Sequence, residues 1–162
     1  MKRIFRTANV LLVLLLAGCA GSPERPETQR QALFGLGEQA ALRVMESTTL
    51  PQPPTDQVLL LAAPLVDGGL RVHQARFHES LTRALLGVSD GPQVLDWNDA
   101  LSEDASDNQW RLESELSADG PELALSDRVL LPYRLRLALR RAGNDEVLWE
   151  ETLSGAFDAT AL

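Results

Sequence analysis

The sequence predicts a small single domain of the α/β (α+β) class: a mostly antiparallel sheet with a packed helix, set behind an N-terminal signal segment and tether. Three stretches carry that expectation. Residues 58–61, Val-Leu-Leu-Leu, form an apolar run of strand length without alternation, the pattern of a strand covered on both faces. Phe77, Leu81, Ala84 and Leu85 then recur at helical spacing. Near the end, two alternating stretches, residues 129–141 and 147–157, flank Ala142-Gly143-Asn144 and read as a hairpin.

The N-terminal stretch states an address. Lys2, Arg3 and Arg6 precede an apolar run over residues 10–16, which ends in Leu16-Ala17-Gly18-Cys19. A charged start, a short apolar middle and small residues before the cut describe a secretory signal peptide. The run is too short to cross a bilayer core, which needs roughly 20 apolar residues. Leu-Ala-Gly-Cys resembles the lipobox of bacterial lipoproteins. That resemblance implies cleavage between Gly18 and Cys19, acylation (palmitate included) of Cys19, and membrane attachment through that lipid. Ala20 in place of Asp implies sorting to the outer membrane, with the protein on its periplasmic face. The expected organisation is residues 1–18 signal peptide, 19–30 acylated Cys and flexible tether, 31–47 amphipathic helix, 48–56 Pro-rich linker and 57–162 periplasmic domain.

Along the chain, Pro23 and Pro26 mark the tether. Leu33, Leu36, Ala40 and Val44 then share a helix face, while Gly35 and Gly37 each weaken that helix by about 1 kcal/mol relative to Ala. Pro51-Gln52-Pro53-Pro54 ends it. A strand is expected over residues 57–63, a helix over 73–86 closed by Gly87, and a second strand over 93–97. Residues 98–108 are acidic and weakly patterned. Residues 110–116 alternate, and Ala118-Asp119-Gly120-Pro121 reads as a turn. In the closing hairpin, pairing numbers that sum to 286 sets Arg140 against Glu146 and Arg136 against Glu150, and is preferred over 288 on charge. Pro132 has no N–H to give a ladder and is expected at a bulge or at the start of a strand.

Composition excludes several functions. The chain carries 15 Lys plus Arg against 23 Asp plus Glu, a net charge of −8, and losing Lys2, Arg3 and Arg6 would make it more acidic. Such a surface repels phosphate backbones, so nucleic acid is not an expected partner. Cys19 is the single cysteine, which leaves no intrachain disulfide. His73 and His78 lie five apart and point about 140° away from each other on a helix, so no metal site is expected and both histidines read as surface residues. No Gly-x-Ser-x-Gly elbow, Ser-x-x-Lys box or Gly-rich phosphate loop occurs; no catalytic residue and no cofactor are assigned, and a non-catalytic protein is expected. Two features remain for binding. Arg134, Arg136 and Arg140 form a stripe on one sheet face, the candidate partner-binding residues, with neutralisation by Glu146 and Glu150 as the competing reading. Trp97, Trp110 and Trp149 are expected to be mostly buried.

The order of lipobox, tether, apolar strand, helix, strand and closing hairpin resembles the outer-membrane lipoproteins of the LpoB type, activators of bifunctional penicillin-binding proteins. It also looks like the related domain of the curli-secretion lipoprotein CsgG. The residues carrying this resemblance are Val58-Leu59-Leu60-Leu61, the helix from Phe77 to Leu85, Gln93-Val94-Leu95, Leu135-Arg136-Leu137-Ala138-Leu139 and Glu146-Val147-Leu148-Trp149. These are hydrophobic patterns, so no site residue transfers. The resemblance implies an accessory lipoprotein that binds and regulates an envelope enzyme as its protein partner, with a peptidoglycan synthase as the leading candidate. The alternatives are an auxiliary lipoprotein of an envelope transporter and, third, a small envelope hydrolase.

Overall fold

The computed structural model describes residues 28–98 and 106–159. Gly18, Cys19, most of the tether and most of the acidic stretch after Trp97 lie outside the described residues.

Helix α1 (Thr28–Glu46) forms on the stripe expected of it: Leu33, Leu36, Ala40 and Val44 are all buried. Helix α2 (Gln74–Leu86) buries Phe77, Ser80, Leu81, Ala84 and Leu85. Gly87 closes α2 by donating its N–H to the carbonyls of Arg83 and Ala84, with right-handed backbone angles. The two helices meet where α1 has a glycine. A Cβ on Gly37 would lie 2.8 Å from the Ser80 carbonyl oxygen, so only glycine allows this approach. The Ser80 hydroxyl fixes the contact by donating to the Leu33 carbonyl at 2.7 Å. Gly37 therefore weakens the helix locally and sets its packing.

Among the described residues, seven strands form one sheet: β1 (Val58–Leu61), β2 (Leu65–Val66), β3 (Gln93–Asp96), β4 (Gln109–Ala118), β5 (Leu123–Ala124), β6 (Val129–Arg141) and β7 (Trp149–Asp158). The spatial order is β3-β1-β4-β6, with β7 and the short β5 both on β6 and the short β2 on β4. β1 is parallel to both β3 and β4, and β2 is parallel to β4. The other three pairings are antiparallel. The α/β class holds, but the sheet is mixed rather than mostly antiparallel. The reason is topological: α2 is a crossover that returns β3 alongside β1 in the same direction, and such pairing leaves no turn motif to read.

One core fills the space between the helices and one face of the sheet. Leu33, Leu36, Val44, Phe77, Leu81 and Leu85 meet Leu59, Leu61, Trp110, Leu112, Leu116, Leu135, Leu137, Leu139 and Phe157. The Trp110 indole N–H donates to the buried Gln57 amide oxygen at 3.1 Å.

The hairpin register corrects the expected one. β6 and β7 pair with numbers summing to 288: Tyr133 faces Gly155, Leu135 faces Leu153 and Leu139 faces Trp149. The apolar faces are those expected, since a two-residue shift keeps every side chain on its side. Packing at one glycine settles the register. The Tyr133 ring lies over Gly155, where a Cβ would meet its hydroxyl oxygen at 2.5 Å, and stacks on Phe157 with ring centroids 4.4 Å apart. Charge does not oppose this, because Arg136 still reaches Glu150 diagonally at 2.6 Å. β6 runs unbroken through Pro132, but its neighbour changes there: pairing to β4 stops at Tyr133 and pairing to β5 resumes at Leu130.

Gly37→Ala is expected to lower stability measurably in urea unfolding, since Ser80 backbone must move. Gly35, with nothing within 4 Å of a built Cβ, is the internal control: Gly35→Ala should raise stability by up to about 1 kcal/mol. Equal effects would break the assignment of Gly37 to the helix contact.

Candidate functional site

The helices cover one face of the sheet, where Arg141 and Glu151 also stand, and the other face carries most charged side chains of the alternating strands. On β4 these are Arg111, Glu113 and Glu115; on β6 they are Arg134, Arg136 and Arg140; on β7, Glu150 and Asp158. The register sets Arg111 beside Arg140 and Glu115 beside Arg136.

The arginine stripe divides in two. Arg134 pairs with Asp119 and Arg136 with Glu150, with Glu115 at 3.9 Å, and these side chains stay 55% and 42% exposed. Arg140 is only 17% exposed: its Nε lies 2.9 Å from Glu113, and it also donates to the Asp145 carbonyl. Arg111 joins that cluster, 15% exposed, 3.0 Å from both Glu113 and Asp145. Every member of the stripe is thus ion-paired. Glu150 is the expected cross-strand partner. Glu146 is not: its place is taken by Glu113 and Asp145, because β7 begins only at Trp149 and the connecting loop turns back over residues 142–148. Arg111 and Glu113 were legible as polar alternation on β4, but nothing in the sequence showed that β4 borders β6.

The remaining candidates separate. Trp110 is fully buried with the Arg141 guanidinium 3.8 Å above its ring. Trp149 is half-buried, and Trp97 is half-covered with Arg111 5.1 Å from its ring centroid. His73 precedes α2 and is exposed, but His78 is not a free surface histidine: its Nε2 sits 3.4 Å from Asp96 of β3, beside a shallow depression formed with Thr82 and Leu86. No group of three or more His, Cys, Asp or Glu that could hold a metal occurs among the described residues. No described helix is long and apolar enough to cross a membrane.

Electrostatics on the exposed face follow from these bonds. The hydrogen bond from Arg136 holds Glu150 below the usual carboxylate range, and Arg128 does the same for Asp127. Asp67 is also held low, by the backbone N–H groups of Gly69 and Ala118. It accepts from them at 2.8 and 3.3 Å, tying the turn after β2 to the end of β4. Burial pushes the Tyr133 phenol upward.

No family model matches this sequence, and no curated protein is similar to it. Solved structures with a similar chain path include the LpoB C-terminal domain from Salmonella enterica, at 13% identity over 76% of this chain and 97% of that one, TM-score 0.48. Protein XCC0632 from Xanthomonas campestris, of the family DUF330, is 13% identical over 67% of this chain and 72% of its own, TM-score 0.46. Lipoprotein GNA1162 from Neisseria meningitidis is 12% identical over 64% and 85%, TM-score 0.40. The curli-secretion side of the sequence resemblance finds no support among them.

Two outcomes follow from this geometry. Arg140→Ala strips a partner from half-covered Glu113 and should cost more stability than Arg134→Ala and Arg136→Ala together, whose exposed pairs contribute about 0–1 kcal/mol each. Chemical unfolding of the three variants checks the order. The depressed carboxylates act in one direction. A folded pKa below the unfolded value adds stability above the unfolded value, near 4, which is lost as pH falls through the folded value. Unfolding midpoints should therefore be level from about pH 5 upward on their account and drop below about pH 4, with a shallower drop in Asp67→Asn.

Proposed function

We propose that this chain is a lipid-anchored accessory protein of the outer membrane, on its periplasmic face, that binds and regulates an envelope enzyme without doing chemistry itself. The observation that carries the reading is Leu16-Ala17-Gly18-Cys19 at the end of a short apolar run behind Lys2, Arg3 and Arg6. A penicillin-binding protein is the leading partner, by the resemblance of the strand–helix–strand and hairpin patterns. The anchoring lipid is palmitate-type acylation on Cys19. The partner surface is the sheet face opposite the helices, around Arg134 and Arg136. Both guanidiniums are exposed and held by carboxylates that are themselves exposed, so a partner carboxylate can take them over at little cost.

Tether length bears on which partners are reachable. Residues 20–27 span at most about 28 Å fully extended, and α1 is docked on the core directly after them. A domain held that close meets partners at or near its own membrane.

Mass spectrometry of the mature N-terminal peptide and cross-linked capture from native envelopes test the two halves of the proposal separately. Acylated Cys19 together with recovery of a penicillin-binding protein is the expected result. Arg134→Ala with Arg136→Ala should lower that recovery at least about five-fold, roughly 1 kcal/mol, while unfolding stays close to wild type. An unmodified Cys19 overturns the anchoring. Recovery of transporter subunits instead moves the partner to that class, and turnover lost on a single Asp or Glu substitution overturns the non-catalytic reading.

A further inference from the structure

The sheet ends on one side in β7, ten residues from Trp149 to Asp158 that pair with β6 and with no other described strand. At the opposite end, β3 is only four residues long. A long edge with free backbone groups is a template for another strand, and proteins limit that hazard with short edges or charges pointing inward. β7 carries such a charge. Counting along the helix-facing side of the strand gives Trp149, Glu151, Leu153, Gly155 and Phe157, in register with Leu139, Leu137, Leu135, Tyr133 and Leu131 of β6. Glu151 is the one ionisable group in that row. It lies opposite fully buried Leu137, is itself half-covered, and has no ion pair or side-chain hydrogen bond among the described residues.

That carboxylate decides what can cover this edge. A strand added to β7 places one of its side chains directly beside Glu151 on the same face, and excludes water from both. An apolar residue there would leave a buried, unpaired carboxylate, and an acidic one would add like-charge repulsion. An Arg or Lys satisfies it. The neighbours two residues away, Trp149 and Leu153, offer half-buried apolar surface to alternate side chains of the same strand. We infer that β7 is a strand-accepting edge filtered by Glu151, and that its occupant is an extended segment of a partner protein with Arg or Lys opposite Glu151 and apolar residues two positions to either side. The net charge of −8 favours approach of such a basic segment. The same filter disfavours a second copy of this chain, whose own β7 row would bring Trp149, Glu151, Leu153, Gly155 and Phe157 but no cation. This inference stands on the edge strand and does not depend on the anchoring or on the enzyme partner.

The test uses the purified full chain in detergent and three nine-residue peptides of alternating valine and threonine that differ only at the central inward position: Arg, Val or Glu. Amide exchange read by mass spectrometry reports where each one binds. The expected result is slowed exchange within residues 149–158 with the Arg peptide, at least ten-fold weaker binding of the Val and Glu peptides, and loss of that preference in Glu151→Gln. Unchanged exchange elsewhere in Glu151→Gln shows that the variant is folded. No slowing at β7 with millimolar Arg peptide overturns the proposal. So does equal binding of all three peptides, or protection mapping to β3 or to the arginine face instead.

Discussion

Strand β4 is bonded on one side to a parallel partner and on the other to an antiparallel one, and its ten residues have to satisfy both. Trp110 and Leu112 lie beside Leu59 and Leu61 of β1, while Leu112 and Leu116 lie beside Leu139 and Leu135 of β6. All of these are buried on the helix side. A slip of one residue in either ladder would turn that row to solvent and bring Arg111, Glu113 and Glu115 into the core. Within the sheet, the parallel half, built on a crossover helix, and the antiparallel half, built on a hairpin, are joined through this strand. Its first core position is also pinned chemically: Trp110 gives its N–H to Gln57 and lies under Arg141. Loss of the amide would leave a buried indole N–H unmet, a cost of about 1–3 kcal/mol.

Among the described residues, the apolar positions on the second face of the sheet are flanked by long charged side chains. Ala138 points to that face yet is fully buried, with Arg136 and Arg140 on either side along β6 and Glu113 and Glu150 across from it. Leu60, beside Arg111 and Leu95, is buried in the same way. Aliphatic stems of arginine can bury apolar surface while their heads stay hydrated. The arginines nearest these positions, Arg111 and Arg140, are the least exposed of the set, and Arg134, at the far end of the stripe, is the most exposed. The stripe is therefore graded from structural to available along a single strand.

How much of this was legible depends on the range of each interaction. The helices, β1, β3, β6 and the helix-facing row of β7 follow from periodicity, which is local. Which strands are neighbours is not local. The parallel pairing of β1 with β3 and β4 has no turn signal to mark it, so the sheet read as more antiparallel than it is. The hairpin register failed for a different reason. An arginine reaches a carboxylate diagonally as well as directly across, so Arg136 and Glu150 fit both sums, and the discriminating contact was Tyr133 over Gly155. A glycine in an otherwise regular strand marks a close approach by a neighbour, and that is the signal that was present. Glu151 was visible as an acidic residue in an apolar row, but its meaning needed the knowledge that β7 is an edge. The same limit hid the role of Gly37, which from sequence alone is only a helix weakener.

Docking of α1 also settles how far a lipid anchor of the proposed kind lets the domain travel. If α1 and the Pro-rich segment behind it were loose, the leash would run from Cys19 to β1. The fold removes all of α1 from that length, since Leu33, Leu36 and Val44 are inside the common core and Ser80 is bonded to the α1 backbone. Peeling the helix away would expose those three side chains, at about 1.5–3 kcal/mol each, against a whole-domain stability of roughly 5–15 kcal/mol. The helix cannot be released as an extender without putting the domain itself at risk. Under the proposed anchoring, closeness to the membrane is then a property of the packed core, and a distant partner has to come to this domain.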